Sequence, residues 1–221
     1  YTKTGTENHK EVVQKLFTLL NDNGYLEEQV SRQPYSEESE MFLSDRYIEG
    51  DCPHCPSRTK GDQCDNCGQD FEPSDLKNLI STIDNSKVTF KETNHIYLKL
   101  PKFQENLNKW INSKSYWRPS VKNQSLGFLS NGLIDRAITR DIDWGVEVPI
   151  KNYEKKRIYV WFEAVIGYLS ASIEWAKSDK NISNNEDIWK EWWQNPNSKH
   201  FYFQGKDNIP FHTIILPAIL M

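Results

Sequence analysis

Apolar residues recur at helical spacing near the start of the chain. Val12, Val13, Leu16, Phe17 and Leu20 share one face, Asn8-x-x-Glu11 has the form of a capping box, and Gly24 offers a C-terminal stop, so a helix is predicted from Asn8. Residues 25–50 lose that period and predict a loop-rich connector ending in a short strand, Arg46-Tyr47-Ile48. Between Lys87 and Leu100 the pattern alternates, with Val88 and Phe90, then Ile96, Leu98 and Leu100. The polar Glu92-Thr93-Asn94 between them reads as the turn of a hairpin. Pro101 opens a helix with Phe103, Leu107, Trp110 and Ile111 on one face, and Pro119 opens another that carries Leu126 and Leu129 and stops at Asn131-Gly132. Further on, Arg157-Ile158-Tyr159-Val160-Trp161-Phe162 reads as a buried strand passing straight into a helix, Ala164 to Ala176. Asn184 to Gln194 is a Trp-rich amphipathic helix, and Phe201-Tyr202-Phe203-Gln204 is a second buried strand. It leads through the Gly205-Lys206-Asp207 turn into a helix with Pro210 in its first turn. A strand feeding a helix is one step of a parallel α/β unit.

Composition narrows the function classes. The 221 residues are 37% hydrophobic, with eight Trp, ten Tyr and ten Phe, which is ample for a packed core and excludes a disordered chain. A net charge of −4 and a pI near 5.8 give no general attraction to nucleic acids or anionic membranes, so any RNA contact must be local. The longest largely apolar run, Phe211 to Met221, is too short to span a bilayer, and the first residues do not read as a leader. The expectation is a soluble, cytoplasmic protein. Tyr at position 1, a first Met at Met41 and an end inside an apolar helical pattern suggest an excised piece.

The strongest chemical signal is Cys52-Pro-His-Cys55 followed by Cys64-Asp-Asn-Cys67. Two Cys-x-x-Cys turns eight residues apart can close a tetrahedron of thiolates about a single Zn²⁺, with Zn–S near ~2.3 Å and no open position, which makes the site structural. Two disulfides are the competing reading, but all four cysteines are used here and nothing else reads as secreted. Gly61 and Gly68 suit the tight turns, and His54 is expected to face solvent. A polar patch at residues 136–147 (Arg136, Thr139, Arg140, Asp141, Asp143, Glu147) is either a solvated loop or a ligand surface. Gly205-Lys206-Asp207 after a strand is a weak nucleotide signal, since an Asp before a helix is more often an N-cap.

Several stretches, taken in order, resemble the methionyl-tRNA synthetases, a family of class I aminoacyl-tRNA synthetases. They are Met41-Phe42-Leu43-Ser44-Asp45-Arg46-Tyr47 with Gly50-Asp51-Cys52-Pro53; Gly61-Asp62-Gln63-Cys64; Ile138-Thr139-Arg140-Asp141 with Trp144-Gly145-Val146-Glu147; Tyr159 to Tyr168; and Phe203-Gln204-Gly205-Lys206-Asp207-Asn208-Ile209-Pro210-Phe211-His212. The resemblance implies an α/β fold: part of a Rossmann-type catalytic domain with an inserted zinc-knuckle connective-peptide domain. Residues 1–39 would be helix and connector, 40–130 the insertion with its knuckle at 52–67, and 131–221 the second half of the catalytic domain. It implies activation of methionine with ATP and Mg²⁺ to methionyl-adenylate and transfer to tRNA(Met). The family's His-Ile-Gly-His and Lys-Met-Ser-Lys-Ser signatures do not occur here, so the isolated chain is expected to be inactive. By resemblance Trp161, Ala164, Val165, Tyr168 and His212 would line the methionine pocket, Glu147, Gly205 and Asp207 would hold the ribose of ATP, and Arg140 would lie near substrate or the tRNA end. A thioether suits aromatic edges and weak donors. Leu216 and Val165 depart from residues common in the family, and no second cysteine pair follows the first knuckle, so one metal is expected. The reading from another class is a non-catalytic zinc-ribbon module that binds RNA or protein, a class usually more basic than this chain.

Overall fold

The computed structural model describes residues 2–61, 64, 66–67, 71 and 73–221. In chain order the elements are α1 (Glu7–Asp22), β1 (Leu26–Ser36), β2 (Met41–Phe42), β3 (Ile48–Asp51), β4 (Arg58–Lys60), β5 (Lys77–Ser81), β6 (Thr89–Leu98), α2 (Gln104–Ser113), α3 (Pro119–Ser130), β7 (Arg136–Ala137), β8 (Thr139–Arg140), β9 (Arg157–Ile158), α4 (Val160–Ala176), α5 (Lys190–Trp193) and α6 (Leu216–Leu220). No described helix is long and apolar enough to cross a membrane. The chain divides into two compact units, one of Tyr1–Glu27, Tyr97–Thr139 and Trp144–Met221, the other of Glu28–Ile96 and Arg140–Asp143.

In the first unit α1 packs on α4. Thr6 caps α1 by accepting from the His9 N–H at 3.2 Å, two residues before the predicted capping box. Asn8 is thereby drawn into the first turn, where its amide donates to the Ser170 carbonyl instead. Gly24 at φ +72 follows the C-cap, as its lack of a Cβ allows. Val13 and Phe17 are fully buried, and Phe17 meets Phe162 edge-to-face at 6.5 Å. Burial of each such side chain stabilises the pair by about 1.5–3 kcal/mol. The helices predicted after Pro101 and Pro119 form, the first entered through a 3₁₀ turn, and bury Leu107, Ile111 and Leu129.

The second unit carries an antiparallel sheet in the order β4-β3-β5, with Leu43, Ile48, Cys52, Cys64, Phe71, Leu76 and Val88 as its core. The β3–β5 register shifts beside Gly50, where a Cβ would sit only 2.7 Å from the Lys77 carbonyl oxygen, so the strands close only over glycine. Gly61 turns at φ +76; Gly68 lies outside the described residues.

Several predicted elements take another form. The connector at 25–50 contains an eleven-residue strand, β1, whose polar, Pro34-containing sequence hid it. Residues 46–47 lie in a 3₁₀ turn, and the strand begins at Ile48. The predicted hairpin at 87–100 is one continuous strand, β6. Its polar middle stays extended because Thr93 donates to the Asp141 carboxylate and Asn94 to Glu28. Only Arg157–Ile158 of the apolar run at 157–162 is strand, and the helix starts at Val160. The Trp-rich helix shortens to Lys190–Trp193. Residues 201–204 form no strand: Phe201 and Phe203 are 70% and 97% exposed, and a buried strand needs ladder neighbours that no described segment supplies. The architecture is mixed α/β. The registers β1–β2, β3–β4, β3–β5 and β6–β7 are all antiparallel, and the expected parallel Rossmann-type sheet is not seen among the described residues.

Candidate functional site

Two clusters of chemically capable side chains stand out, one in each unit. In the second unit the Sγ atoms of Cys52, Cys55, Cys64 and Cys67 all lie within 4.8 Å of one another. Cys52 to Cys67 is 3.9 Å and Cys55 to Cys64 is 3.7 Å, far beyond a ~2.05 Å disulfide. They match the ~3.8 Å edge of a tetrahedron with 2.3 Å metal–sulfur bonds. Donors surround the sulfurs: the His54 N–H reaches Cys52 at 3.3 Å and the Asn66 amide reaches Cys55 at 3.6 Å, while the Ser57 hydroxyl lies 2.9 Å from Cys55. The Ser57 hydroxyl holds the Cys55 thiol below its ordinary pKa, and the Cys67 backbone N–H, aided by Ser57, brings Cys64 down to about 6. Four cysteine sulfurs at this spacing, with Cys55 and Cys64 poised to lose their protons, fit a Zn²⁺ ion.

In the first unit α4 places Trp161, Ala164, Val165 and Tyr168 at i, i+3, i+4 and i+7, hence on one face. Val165 is buried, while Trp161 and Tyr168 remain 41% and 43% exposed. Facing them is a helical segment with a widened turn at Phe211–Ile215 running into α6. Pro217 explains the widening, since it has no N–H to return to the Thr213 carbonyl and its ring crowds that oxygen. The wide turn carries Phe211 and His212. Phe211 stacks on Trp161 at 4.8 Å and 16°, with the Arg136 guanidinium 5.8 Å from the same ring. Beside this stack lies a shallow cleft lined by Leu98, Arg136, Ala137, Trp161, Phe211 and Ile215.

His212 Nδ1 lies 2.8 Å from the Asn208 carbonyl, which can only accept, so Nδ1 carries a proton. In the neutral ring Nε2 is then the acceptor, and the Tyr168 hydroxyl donates to it at 2.8 Å. Burial lowers the His212 pKa, with the Asn208 carbonyl opposing, which favours that neutral form. Tyr202 completes an aromatic triangle, 4.9 Å from Tyr168 and 5.2 Å from His212, and burial pushes its hydroxyl up to about 12.

The structure therefore pairs Trp161 with Phe211 and Tyr168 with His212 along one face of α4. It does not gather the residues expected to hold ribose: Glu147, Gly205 and Asp207 are all exposed, and none bonds to another among the described residues. The short helical turn at Lys206–Asn208 has Gly205 as its N-cap, so Asp207 is not the cap that its sequence position suggests. Arg140 belongs to the other unit, beside a small cleft that includes Ser44, His95 and Asp141. Sequence reasoning missed Tyr202, hidden in a predicted strand, and left Phe211 without a role. The Pro217 that widens the helix was the available signal for the latter.

Over residues 1–221 the chain matches the family model described as tRNA synthetases class I (M). It is 51% identical over 225 residues to a methionine–tRNA ligase of Chloroflexus aggregans and 44% identical over 222 residues to one of Thermoplasma acidophilum. All of this chain is covered in both, with 37% and 40% of the relatives. A crystal structure of Mycobacterium tuberculosis methionyl-tRNA synthetase bound by methionyl-adenylate superposes with a TM-score of 0.63 at 21% identity, covering the whole chain and 37% of its own. The chain thus spans well under half the length of the curated relatives it matches. A family model that covers every residue, with relatives at about half identity, leaves one conclusion: the chain belongs to the class I tRNA synthetases of the methionyl (M) family.

Proposed function

We propose that this chain is part of a methionine–tRNA ligase, which joins methionine to ATP, releases pyrophosphate and passes the methionyl group to tRNA(Met). The observation that carries the reading is one face of α4 on which Trp161 stacks on Phe211 beside an apolar cleft and Tyr168 bonds to His212. A thioether side chain gains from the indole face and the aromatic edges, and Ala164 and Val165 leave it room. His212 acts here as the acceptor that orients Tyr168, because its one proton is committed to Asn208. Glu147, Gly205 and Asp207 take the ribose hydroxyls of ATP, whose phosphates bring Mg²⁺, and Arg140 contacts substrate or the tRNA end. Their exposure is compatible with ligand contact. The four cysteines hold one structural zinc, and residues 40–130, which carry them, are the connective-peptide insertion. Adenylate formation needs no general acid or base, only alignment of the carboxylate with the α-phosphorus. Methionine-dependent ATP–pyrophosphate exchange by a full-length protein carrying this chain tests the reading; exchange driven by another amino acid, or none, would overturn it.

A further inference from the structure

The opposite side of α4 carries a polar stripe that the pocket reading leaves unused. Glu163, Gly167, Ser170 and Glu174 follow one another at helical spacing, and each meets the segment Thr2–His9. His9 Nε2 lies 2.7 Å from Glu163, His9 Nδ1 lies 2.8 Å from Ser170 Oγ, and the Asn8 amide donates to the Ser170 carbonyl at 2.9 Å. The Thr2 hydroxyl donates to Glu174 at 2.5 Å, and a Cβ at Gly167 would sit 3.5 Å from Thr4 Cγ2. His9 and Ser170 are 1% and 2% exposed. At ~100° per residue this stripe lies roughly 140° around the helix from that of Trp161, Ala164, Val165 and Tyr168.

Ser170 has one hydroxyl proton, which it gives to the Gly167 carbonyl at 3.1 Å, so it accepts from His9 Nδ1–H. On the other side of the ring Nε2 meets the Glu163 carboxyl group at hydrogen-bonding distance, 2.7 Å. Apart from Tyr168–His212 and the Trp193 indole N–H that donates to Ser172 Oγ at 3.0 Å, α4 is held by apolar packing through Phe162, Val165, Ile166 and Leu169, and apolar contact is non-directional. It sets how tightly the helix is held but leaves slide and rotation weakly specified. Bonds of defined length to two residues seven apart fix both. The site side depends on that register, because Tyr168 must reach His212 at 2.8 Å and Trp161 must overlie Phe211. A misplacement of about 1 Å at such a site can cost on the order of 10²-fold in rate.

We propose that His9, acting through Glu163 and Ser170, is a positioning residue for the methionine pocket; this rests on the pocket reading above. The test uses a full-length ligase carrying this chain, at a temperature where circular dichroism shows every variant folded. The kcat and KM for methionine and norleucine are measured by pyrophosphate exchange, with the KM for ATP beside them. His9→Asn keeps a group near Nδ1 and forfeits Glu163; His9→Gln keeps a group near Nε2 and forfeits Ser170. Each is expected to raise the methionine KM by about tenfold and lower the methionine-to-norleucine ratio, with the ATP KM within about twofold. His9→Asn combined with Glu163→Gln should be no worse than either alone, as for a coupled pair. Variants that melt earlier yet keep the wild-type methionine KM and ratio would overturn the proposal and leave a purely structural bond. If neither His9 variant folds, Ser170→Ala removes a single hydroxyl and carries the same two outcomes. Trp161→Ala, run alongside, separates the failures: wild-type methionine kinetics there would bring down the pocket reading itself.

Discussion

The cysteine knuckle and the aromatic cluster on α4 are built on opposite plans. The knuckle draws its four cysteines from sixteen consecutive positions, 52–67, and the Cys52 sulfur accepts from the His54 N–H within its own turn. The aromatic cluster draws Trp161, Tyr168, Tyr202, Phe211 and His212 from more than fifty residues, and its geometry depends on how two helices pack. A site closed by its own loop needs one strong interaction to hold it. A site closed by packing divides its stability among many weak contacts, so single losses there are smaller and appear first in specificity.

The largest expected effect follows from that difference. Stripping the metal with a chelator, or replacing Cys55→Ser, removes a term on the order of 10 kcal/mol from the local order of the knuckle. Elemental analysis should show one zinc per chain before treatment, and amide exchange should then accelerate over β3–β5 while α4 stays protected. Under half an equivalent of zinc, or two disulfides by thiol titration, would refute the site. Faster exchange over α4 as well would refute the separation of the two plans.

Trp161→Ala is expected to act next most strongly, on methionine rather than on ATP. A fully buried Trp would cost ~3–5 kcal/mol. Trp161 is 41% exposed and keeps one face on Phe211, so about 2 kcal/mol is expected, or roughly thirtyfold in kcat/KM for methionine. A loss shared equally by the KM for ATP would show that the indole supports the unit generally.

The same contrast governs what the sequence revealed. The knuckle was readable from Cys-x-x-Cys spacing alone because the geometry is local. Helices α1, α2 and α3 were readable from apolar period and from Pro and Gly punctuation. What failed depended on distant partners. The polar middle of β6 reads as a turn until Asp141 and Glu28 are placed beside it, and the N-cap shifts to Thr6 because Asn8 and His9 are engaged by Ser170 and Glu163. The apolar run at 157–162 carries no period that separates strand from helix, and it became mostly helix. Of the candidate pocket, Trp161, Tyr168 and His212 entered through family resemblance; no spacing rule brings residue 168 to residue 212.

Smaller effects test the proton arrangement at that meeting point. Tyr168→Phe and His212→Ala each delete the same hydrogen bond, so each should cost on the order of 1 kcal/mol in methionine use, and the double variant little more than either single. Since no proton of Tyr168 or His212 is left for the sulfur, both should narrow discrimination against norleucine, which has the shape of methionine without sulfur, by displacing the aromatic edges that favour a thioether. The measurement is kcat/KM for the two amino acids in all three variants. Additive losses would mean that the two side chains act separately and that the 2.8 Å bond is incidental.

The smallest expected effect is a pH dependence confined to the aromatic cluster. Burial lowers the His212 pKa from the ordinary 6.5, outweighing the carbonyl of Asn208 that favours the charged ring. The folded state thus holds the imidazole neutral at a pH where the unfolded chain has begun to protonate it. Stability from this group is complete above pH 6.5, and it is lost as pH falls from there through the lower folded-state pKa. Function should change in the same window, for a stated reason: a proton on Nε2 turns it from acceptor to donor, and the Tyr168 hydroxyl must swing its own hydrogen away. Tyr202, the third group at this point, stays neutral throughout, since its hydroxyl titrates near 12. The kcat/KM for methionine should therefore fall on the acid side, starting below pH 6.5, and the KM for ATP should not follow it. Tyr168→Phe should remove the part of the fall that comes from reorienting the hydroxyl. His212→Gln should flatten both the activity and the stability profile over that range. An acid fall that survives in His212→Gln would place the titrating group elsewhere in the ligase and leave Tyr168 and His212 as a fixed, pH-independent wall of the cleft.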